Sequence, residues 1–124
     1  MKVLLSIKPE FVEKIFDGSK KYEYRKVLPQ RTDISVIVIY ASAPVQRVVG
    51  EFRINEIFSE SVDILWKRTK EYSGISKEYY MSYFQHKNVA NAIEIGELKK
   101  YKKTKLLSDY KIVQAPQSFC YISD

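Results

Sequence analysis

Apolar and polar residues alternate along much of the chain with the two-residue period of a β-strand. Six segments show this alternation or a continuous apolar run, and each is predicted to form a strand: residues 3–7, 20–27, 34–40, 47–57, 89–98 and 117–122. A shorter piece follows the fifth strand at 105–107. The segment 34–40 is apolar at nearly every position, which is typical of a central strand buried on both faces.

Three other segments have the spacing of amphipathic helices. They are residues 9–17, 61–72 and 76–85. Pro9 suits a first helical turn, because its missing N–H has no partner to lose there, and Gly18 suits the position just after a helix. Ser61 and Ser76 are predicted to cap the second and third helices.

The order of these elements lacks the regular strand–helix–strand alternation of a doubly wound parallel sheet. Several long strands, with helices inserted at two points, instead indicate the α+β class. We therefore predict a small, partly closed mixed β-barrel of about six strands with two to three flanking helices.

Length and composition narrow the class of protein. The chain has 124 residues, of which 45% are hydrophobic, so one domain over residues 1–124 is expected. Cys120 is the only cysteine, which excludes a disulfide scaffold and favours a reducing compartment. No apolar run approaches the length of a membrane span, and the first one is too short for a signal-peptide core. A cytoplasmic protein is expected.

The charge distribution raises the question of nucleic acid. Lysine and arginine number 21 against 15 acidic residues, giving a net charge of +6 and a pI of about 9.3. Five lysines crowd into seven positions: Lys99, Lys100, Lys102, Lys103 and Lys105. Such a run attracts a phosphate backbone, but it is equally typical of a solvated loop or of an edge strand protected by lysines.

The most informative segment is Gly18-Ser19-Lys20-Lys21-Tyr22-Glu23-Tyr24-Arg25. Gly18 lets the chain turn out of the first helix, and a strand begins at once with Lys20 at its mouth. Glu23 and Arg25 are two residues apart and therefore share a face of that strand. Three charged groups are thus gathered beside a helix end, either facing a cavity or forming a surface ion pair of little energetic value.

This pattern, Gly-x-Lys-x-x-Glu-x-Arg after a short helix, resembles the signature of the ASCH domain, a branch of the PUA-like superfamily. Further similar segments are Leu5-Ser6-Ile7-Lys8-Pro9, Tyr40-Ala41-Ser42-Ala43-Pro44, Val49-Gly50-Glu51-Phe52 and residues 115–122. The resemblance covers essentially the whole chain.

The resemblance implies a PUA-like barrel with a cleft beside the first helix, lined by the signature residues Gly18, Lys20, Glu23 and Arg25. It also implies RNA, or a nucleotide or modified nucleoside, as the ligand. Lys8, in the similar opening segment, is assigned with Gly18 to ligand binding.

The resemblance also raises an enzyme hypothesis. One group of small ASCH proteins is assigned as amidohydrolases of N4-acetylcytidine, and Lys20 matches their catalytic lysine, whereas Glu23 stands where they have threonine. Lys20, Glu23 and Arg25 are the candidate catalytic residues. A lysine base needs a depressed pKa, which burial and Arg25 would favour and Glu23 would oppose.

Other residues add little chemistry. Tyr40 and Ser42 end the central strand and are candidate stacking and polar ligand contacts. Base stacking is weighed against core packing for Tyr79, Tyr80, Tyr83 and Phe84, whose helical spacing favours core packing. His86 is the only histidine, and no glycine-rich phosphate loop is present, so neither a metal site nor a cofactor is expected. The sequence leaves the oligomeric state open.

Overall fold

The computed structural model describes residues 1–123. Six strands form one sheet: β1 (Lys2–Ile7), β2 (Tyr22–Arg25), β3 (Val36–Ala41), β4 (Arg47–Ser61), β5 (Val89–Lys105) and β6 (Phe119–Ile122). Three α-helices flank it: α1 (Pro9–Asp17), α2 (Val62–Thr69) and α3 (Lys77–Tyr83). Two 3-10 turns lie at Lys70–Tyr72 and Leu107–Tyr110. The predicted α+β class, with six strands and three helices, is confirmed.

The strand order is β2-β5-β4-β3-β1-β6. The β1–β3 pair is parallel, and each of the other four pairs is antiparallel. The connection from β1 to β3 runs through α1 and β2 and returns the chain to the end of the sheet where β1 begins. Strand β3 therefore runs parallel to β1. Consecutive side chains of β1 face opposite sides of the sheet: Leu5 packs in the core beneath α1, and Leu4 packs on the other face with Val38 and Val48.

The expected closure of the sheet into a barrel is not found. The edge strands β2 and β6 share no backbone ladder within residues 1–123. Instead the Arg25 side chain crosses the gap, donating from Nη2 to the Ser6 carbonyl (2.8 Å) and from Nη1 to Ser118 Oγ (3.4 Å). Strand β2 is only four residues long, and the contacts of Arg25 across the gap form a side-chain seam.

The segment with the lysine run is also more ordered than a solvated loop. It continues β5 to Lys105 and pairs with β4, for example Lys99 with Glu51. Because β2 pairs only with residues 91–94, the later half of β5 has one edge without a partner strand among residues 1–123, which agrees with the prediction of an edge strand for the lysine run.

Helix boundaries follow local signals. Pro9 begins α1, and Gly18 ends it in the left-handed conformation with φ 86°. Ser61 and Ser76 cap α2 and α3 by accepting hydrogen bonds from Ile64 and Tyr79 backbone N–H groups. No helix within residues 1–123 is long and apolar enough to span a bilayer.

Candidate functional site

A cavity of about 160 Å³ opens at the seam between β1 and β2. Strand β2 forms its floor, the end of β1 one side, and α1 and α3 the other walls. Its lining consists of Ser6, Ile7, Lys8, Phe11, Lys20, Glu23, Tyr24, Arg25, Ile75, Tyr79 and Tyr83. We call it the seam pocket. Four of the seven predicted site residues lie in it: Lys8, Lys20, Glu23 and Arg25.

Lys20 is the deepest charged group of the pocket. Its residue is only 2% exposed, and its Nζ donates to the Ser73 carbonyl at 2.8 Å. The same ammonium lies 5.3 Å from the ring centre of Phe11 and 5.0 Å from that of Tyr24. The aromatic faces and one carbonyl thus replace part of the water that would otherwise surround the charge.

The backbone around Lys20 is built to admit its side chain. Gly74 has φ 69°, and a Cβ at this position would lie 2.5 Å from Lys20 Cβ. A glycine is therefore required at position 74 both for the left-handed turn and for the close approach of the lysine stem.

Burial lowers the pKa of Lys20 to about 8, with smaller contributions from Lys14 and Arg25 that Glu23 opposes. A substantial fraction of this amine is therefore neutral under mildly alkaline conditions. The group can serve as a charged anchor below that pH and as a proton acceptor above it.

Glu23 and Arg25 form a buried ion pair and not a surface one. Their side chains are 8% and 10% exposed, and Arg25 Nε and Nη2 contact the same oxygen, Glu23 Oε2, at 3.1 and 3.0 Å. Within residues 1–123 no donor contacts the other oxygen, Oε1. The pocket therefore offers a fixed hydrogen-bond acceptor beside the lysine donor.

Aromatic rings form the upper wall. Phe11 and Tyr79 meet edge to face at 5.3 Å, and Tyr83 lines the pocket one helical turn further along α3. Lys8, at the exposed rim, lies 5.2 Å from the centre of the Tyr79 ring. Its hydrogen bond to Tyr79 raises the pKa of Lys8, so the rim remains cationic across the physiological range.

Three predicted site residues lie outside the pocket lining. Gly18 shapes the turn between α1 and Lys20 without lining the cavity. Tyr40 is 3% exposed and packs in the core on the opposite face of the sheet. Ser42 lies in the turn after β3, where its N–H donates to the Ile7 carbonyl at 3.0 Å. Tyr40 faces away because β3 is a central strand and its side chains alternate between the two faces.

Several lining residues were not singled out from the sequence. Tyr79 and Tyr83 carry a signal, since they lie four residues apart on one helix face, but that spacing is also typical of a core. Ser6 carries none, because its part in the site depends on Arg25 reaching it across the seam, and the same holds for Ser118, which contacts Arg25 outside the lining. Within residues 1–123 no group of three or more His, Cys, Asp or Glu side chains is placed to hold a metal ion.

An open mixed sheet with flanking helices and a charged pocket at its seam defines an α+β domain of the PUA-like class. The ASCH domain profile matches residues 5–99, and the chain belongs to the ASCH domain family. The fold is similar to the crystal structure of ASCH from Zymomonas mobilis, with a TM-score of 0.89, 28% identity, and coverage of 98% of this chain and 87% of that one. Solved variants of the same protein, one a serine-to-alanine and one a tyrosine-to-phenylalanine substitution, align with the same TM-score.

Curated relatives carry varied names. The chain is 33% identical over 89 residues to an ASCH domain-containing ribonuclease of Zymomonas mobilis, covering 72% of this chain and 60% of the relative. It is 31% identical over 121 residues to an ATP synthase subunit alpha of Ureaplasma parvum, and 29% identical to a large ribosomal subunit protein uL22 of that organism. In both cases 97% of this chain is covered. The chain spans only 15% and 39% of the lengths of those two relatives.

Proposed function

We propose that this chain is an RNA-binding protein whose seam pocket holds one nucleotide. The observation that carries the proposal is the pairing, in one small cavity, of a donor and an acceptor between aromatic walls: Lys20 Nζ, Glu23 Oε1 and the rings of Phe11 and Tyr79. A nucleobase presents a flat π-face together with hydrogen-bonding edges, which these groups match.

Size and charge support the same ligand. The cavity of about 160 Å³ has room for one base, and a longer strand would have to continue outside it. Lys8, Lys20 and Arg25 outnumber the single carboxylate of Glu23, so the pocket attracts an anion such as a nucleotide phosphate. The ribonuclease name of the Zymomonas mobilis relative supports RNA as the class of ligand. We place this function in the cytoplasm, where Cys120 would stay reduced.

The test is calorimetric titration of cytidine, uridine, adenosine and guanosine monophosphates into the protein and two variants. Lys20→Met keeps the length of the stem and removes the charge, and Lys21→Met removes the neighbouring exposed lysine as a matched control. We expect at least about a tenfold loss of affinity for the bound nucleotide in Lys20→Met and parity in Lys21→Met. Equal affinities in all three proteins would contradict the assignment of the pocket.

A second candidate function is amide hydrolysis on an acylated nucleoside such as N4-acetylcytidine. The observation that favours it is the lowered pKa of Lys20, about 8, beside the fixed carboxylate of Glu23. In this reaction neutral Lys20 takes a proton from water, and the resulting hydroxide attacks the acetyl carbonyl. The C–N bond then breaks, the proton passes to the departing amino group, and cytidine and acetate are released.

This reaction is tested by incubating the purified protein with N4-acetylcytidine and measuring cytidine by chromatography. Catalysis by Lys20 predicts a rate that rises with pH and levels off above about 8, and Lys20→Met should abolish it. No cytidine above the Lys20→Met background, between pH 7 and 9, would leave RNA binding as the function of the site. The same samples incubated with single-stranded RNA report whether the chain cleaves it.

A further inference from the structure

A second concave surface, of about 770 Å³, lies along the later half of β5. Six lysines line it: Lys2, Lys99, Lys100, Lys102, Lys103 and Lys105. We call it the lysine groove. It shares no lining residue with the seam pocket, and the proposed function of that pocket does not use it.

The groove is held in shape by contacts beneath the lysines. Tyr101 donates from its hydroxyl to Glu51 Oε1 at 2.6 Å, which ties β5 to β4. The Lys105 ammonium lies 5.2 Å from the Tyr101 ring centre and 5.8 Å from that of Tyr110 in the 3-10 turn. The charged surface is therefore carried on a strand and a packed turn, in contrast to a mobile tail.

Among residues 1–123, acidic side chains neutralise little of the positive charge of the groove. Glu51 is the only acidic side chain in its lining among residues 1–123, and Lys2 contacts that carboxylate at 3.6 Å. Burial opposes ionisation of Glu51, yet Tyr101 and Lys2 hold its pKa below the usual range. Over the same residues Lys99, Lys102 and Lys103 are exposed and form no ion pair.

The groove therefore concentrates the chain's excess of basic residues. Six of the 21 lysines and arginines lie here, whereas Glu51 is the one acidic residue of residues 1–123 that lines the groove. Lysines spread only for solubility would be interspersed with carboxylates over the surface. A strip of unpaired lysines instead gathers counterions, and a polyanion gains free energy by releasing them.

We propose that the lysine groove is a second, sequence-independent binding surface for the phosphate backbone of RNA, separate from the seam pocket. The choice of RNA as the polyanion rests on the proposed function. Lysine ammonium groups contact phosphates as point charges without reading bases, so the groove adds affinity and leaves selectivity to the pocket.

The test compares two triple variants with equal loss of charge. Lys99, Lys102 and Lys103 are changed to Gln in the groove variant, which leaves Lys105 packed on its tyrosines. Lys67, Lys70 and Lys77, exposed around α2 and α3, are changed to Gln in the control. Binding of a fluorescent 20-nucleotide single-stranded RNA is measured from 50 to 300 mM KCl, and nucleoside monophosphate binding is measured in parallel.

We expect the plot of log affinity against log salt to become shallower by about 2 in the groove variant, since each phosphate contact contributes about 0.7. Its RNA affinity should fall at least about tenfold at 0.1 M salt, with mononucleotide affinity unchanged. A groove variant with the parental slope, or a control with an equal loss, overturns the proposal. If the parent binds no mononucleotide and the groove variant still loses RNA affinity, the pocket assignment is overturned and the groove assignment is supported.

Discussion

Lys20 shows most clearly how one residue's surroundings determine its chemistry. Its neighbours along the chain are exposed lysine and serine, yet its own side chain is buried between two aromatic rings. The sequence identified Lys20 as the central residue of the signature and identified the three influences on its pKa. It could not rank them, because the degree of burial depends on Gly74 and Ser73, which lie more than fifty residues away.

The lowered pKa of Lys20 predicts a pH dependence of stability. The unfolded chain binds a proton at this lysine up to about pH 10.5, whereas the folded protein releases it near 8. The contribution of Lys20 to stability therefore rises with pH across this window, by about 3 kcal/mol in total. Urea unfolding between pH 7 and 10.5 should show the parent gaining this stability relative to Lys20→Met. Parallel curves for the two proteins would show that Lys20 stays protonated.

Gly74 and Gly18 give a matched pair of substitutions, since both have a positive φ. Gly18→Ala meets nothing within 4 Å and should lose only about 1–2 kcal/mol from backbone strain. Gly74→Ala adds a collision with the Lys20 stem and should lose more stability together with nucleotide affinity. Thermal unfolding measures the stability of both variants, and calorimetric titration measures their nucleotide affinity. If Gly74→Ala loses no more stability and no more affinity than Gly18→Ala, the position of Lys20 does not depend on Gly74.

At the scale of elements, local signals were sufficient for most of the fold. The ends of α1 and the caps of α2 and α3 follow from Pro9, Gly18, Ser61 and Ser76, as the sequence indicates. Strand lengths were less predictable: β4 and β5 extend beyond their predicted ends because each supplies the other with a ladder. That mutual support is a property of the pair, and neither segment reveals it alone.

The contact between α2 and β2 allows a prediction at this scale. Tyr24 Oη and Thr69 Oγ1 are 2.6 Å apart and buried, and Thr69 also donates to the Leu65 carbonyl at 2.8 Å. Thr69→Val leaves the Tyr24 hydroxyl without a partner and should lower the free energy of unfolding by about 1–3 kcal/mol. Tyr24→Phe leaves Thr69 bonded to Leu65 and should cost less. Denaturant unfolding measures the free energy of unfolding of both variants. A larger loss in Tyr24→Phe than in Thr69→Val would contradict this prediction.

At the scale of the whole molecule, the seam is what the sequence could not predict. Resemblance and strand count predicted a barrel, and the family and class were confirmed, but closure depends on whether β2 and the opposite edge form a backbone ladder. Arg25 meets Ser118, 93 residues away, and no local pattern predicts that contact. The site residues of the signature were found together because they are close in sequence. The residues that Arg25 contacts across the seam, Ser6 and Ser118, were not predicted.

The ion pair at the seam should be essential to the fold as a whole. Arg25→Met leaves Glu23 as an unpaired carboxylate that is 8% exposed, and removing one partner of such a pair typically costs about 3–5 kcal/mol. The double variant Glu23→Gln with Arg25→Met leaves neither partner of the pair as an uncompensated charge and should recover part of that loss. Chemical unfolding of parent, single and double variants measures the coupling; strictly additive losses would show that the pair does not act as a unit.

A seam joined by side chains also determines what opening the molecule requires. A barrel closed by a backbone ladder can widen only by breaking a row of amide hydrogen bonds, which is a partial unfolding event. Here the contacts across the gap are made by side chains, those of Arg25 to Ser6 and Ser118 and that of Tyr121 to the backbone after β2, while every strand keeps its neighbour in the sheet. The entrance to the seam pocket is thus bordered by side-chain contacts, whereas the sheet that supports it is held by backbone ladders.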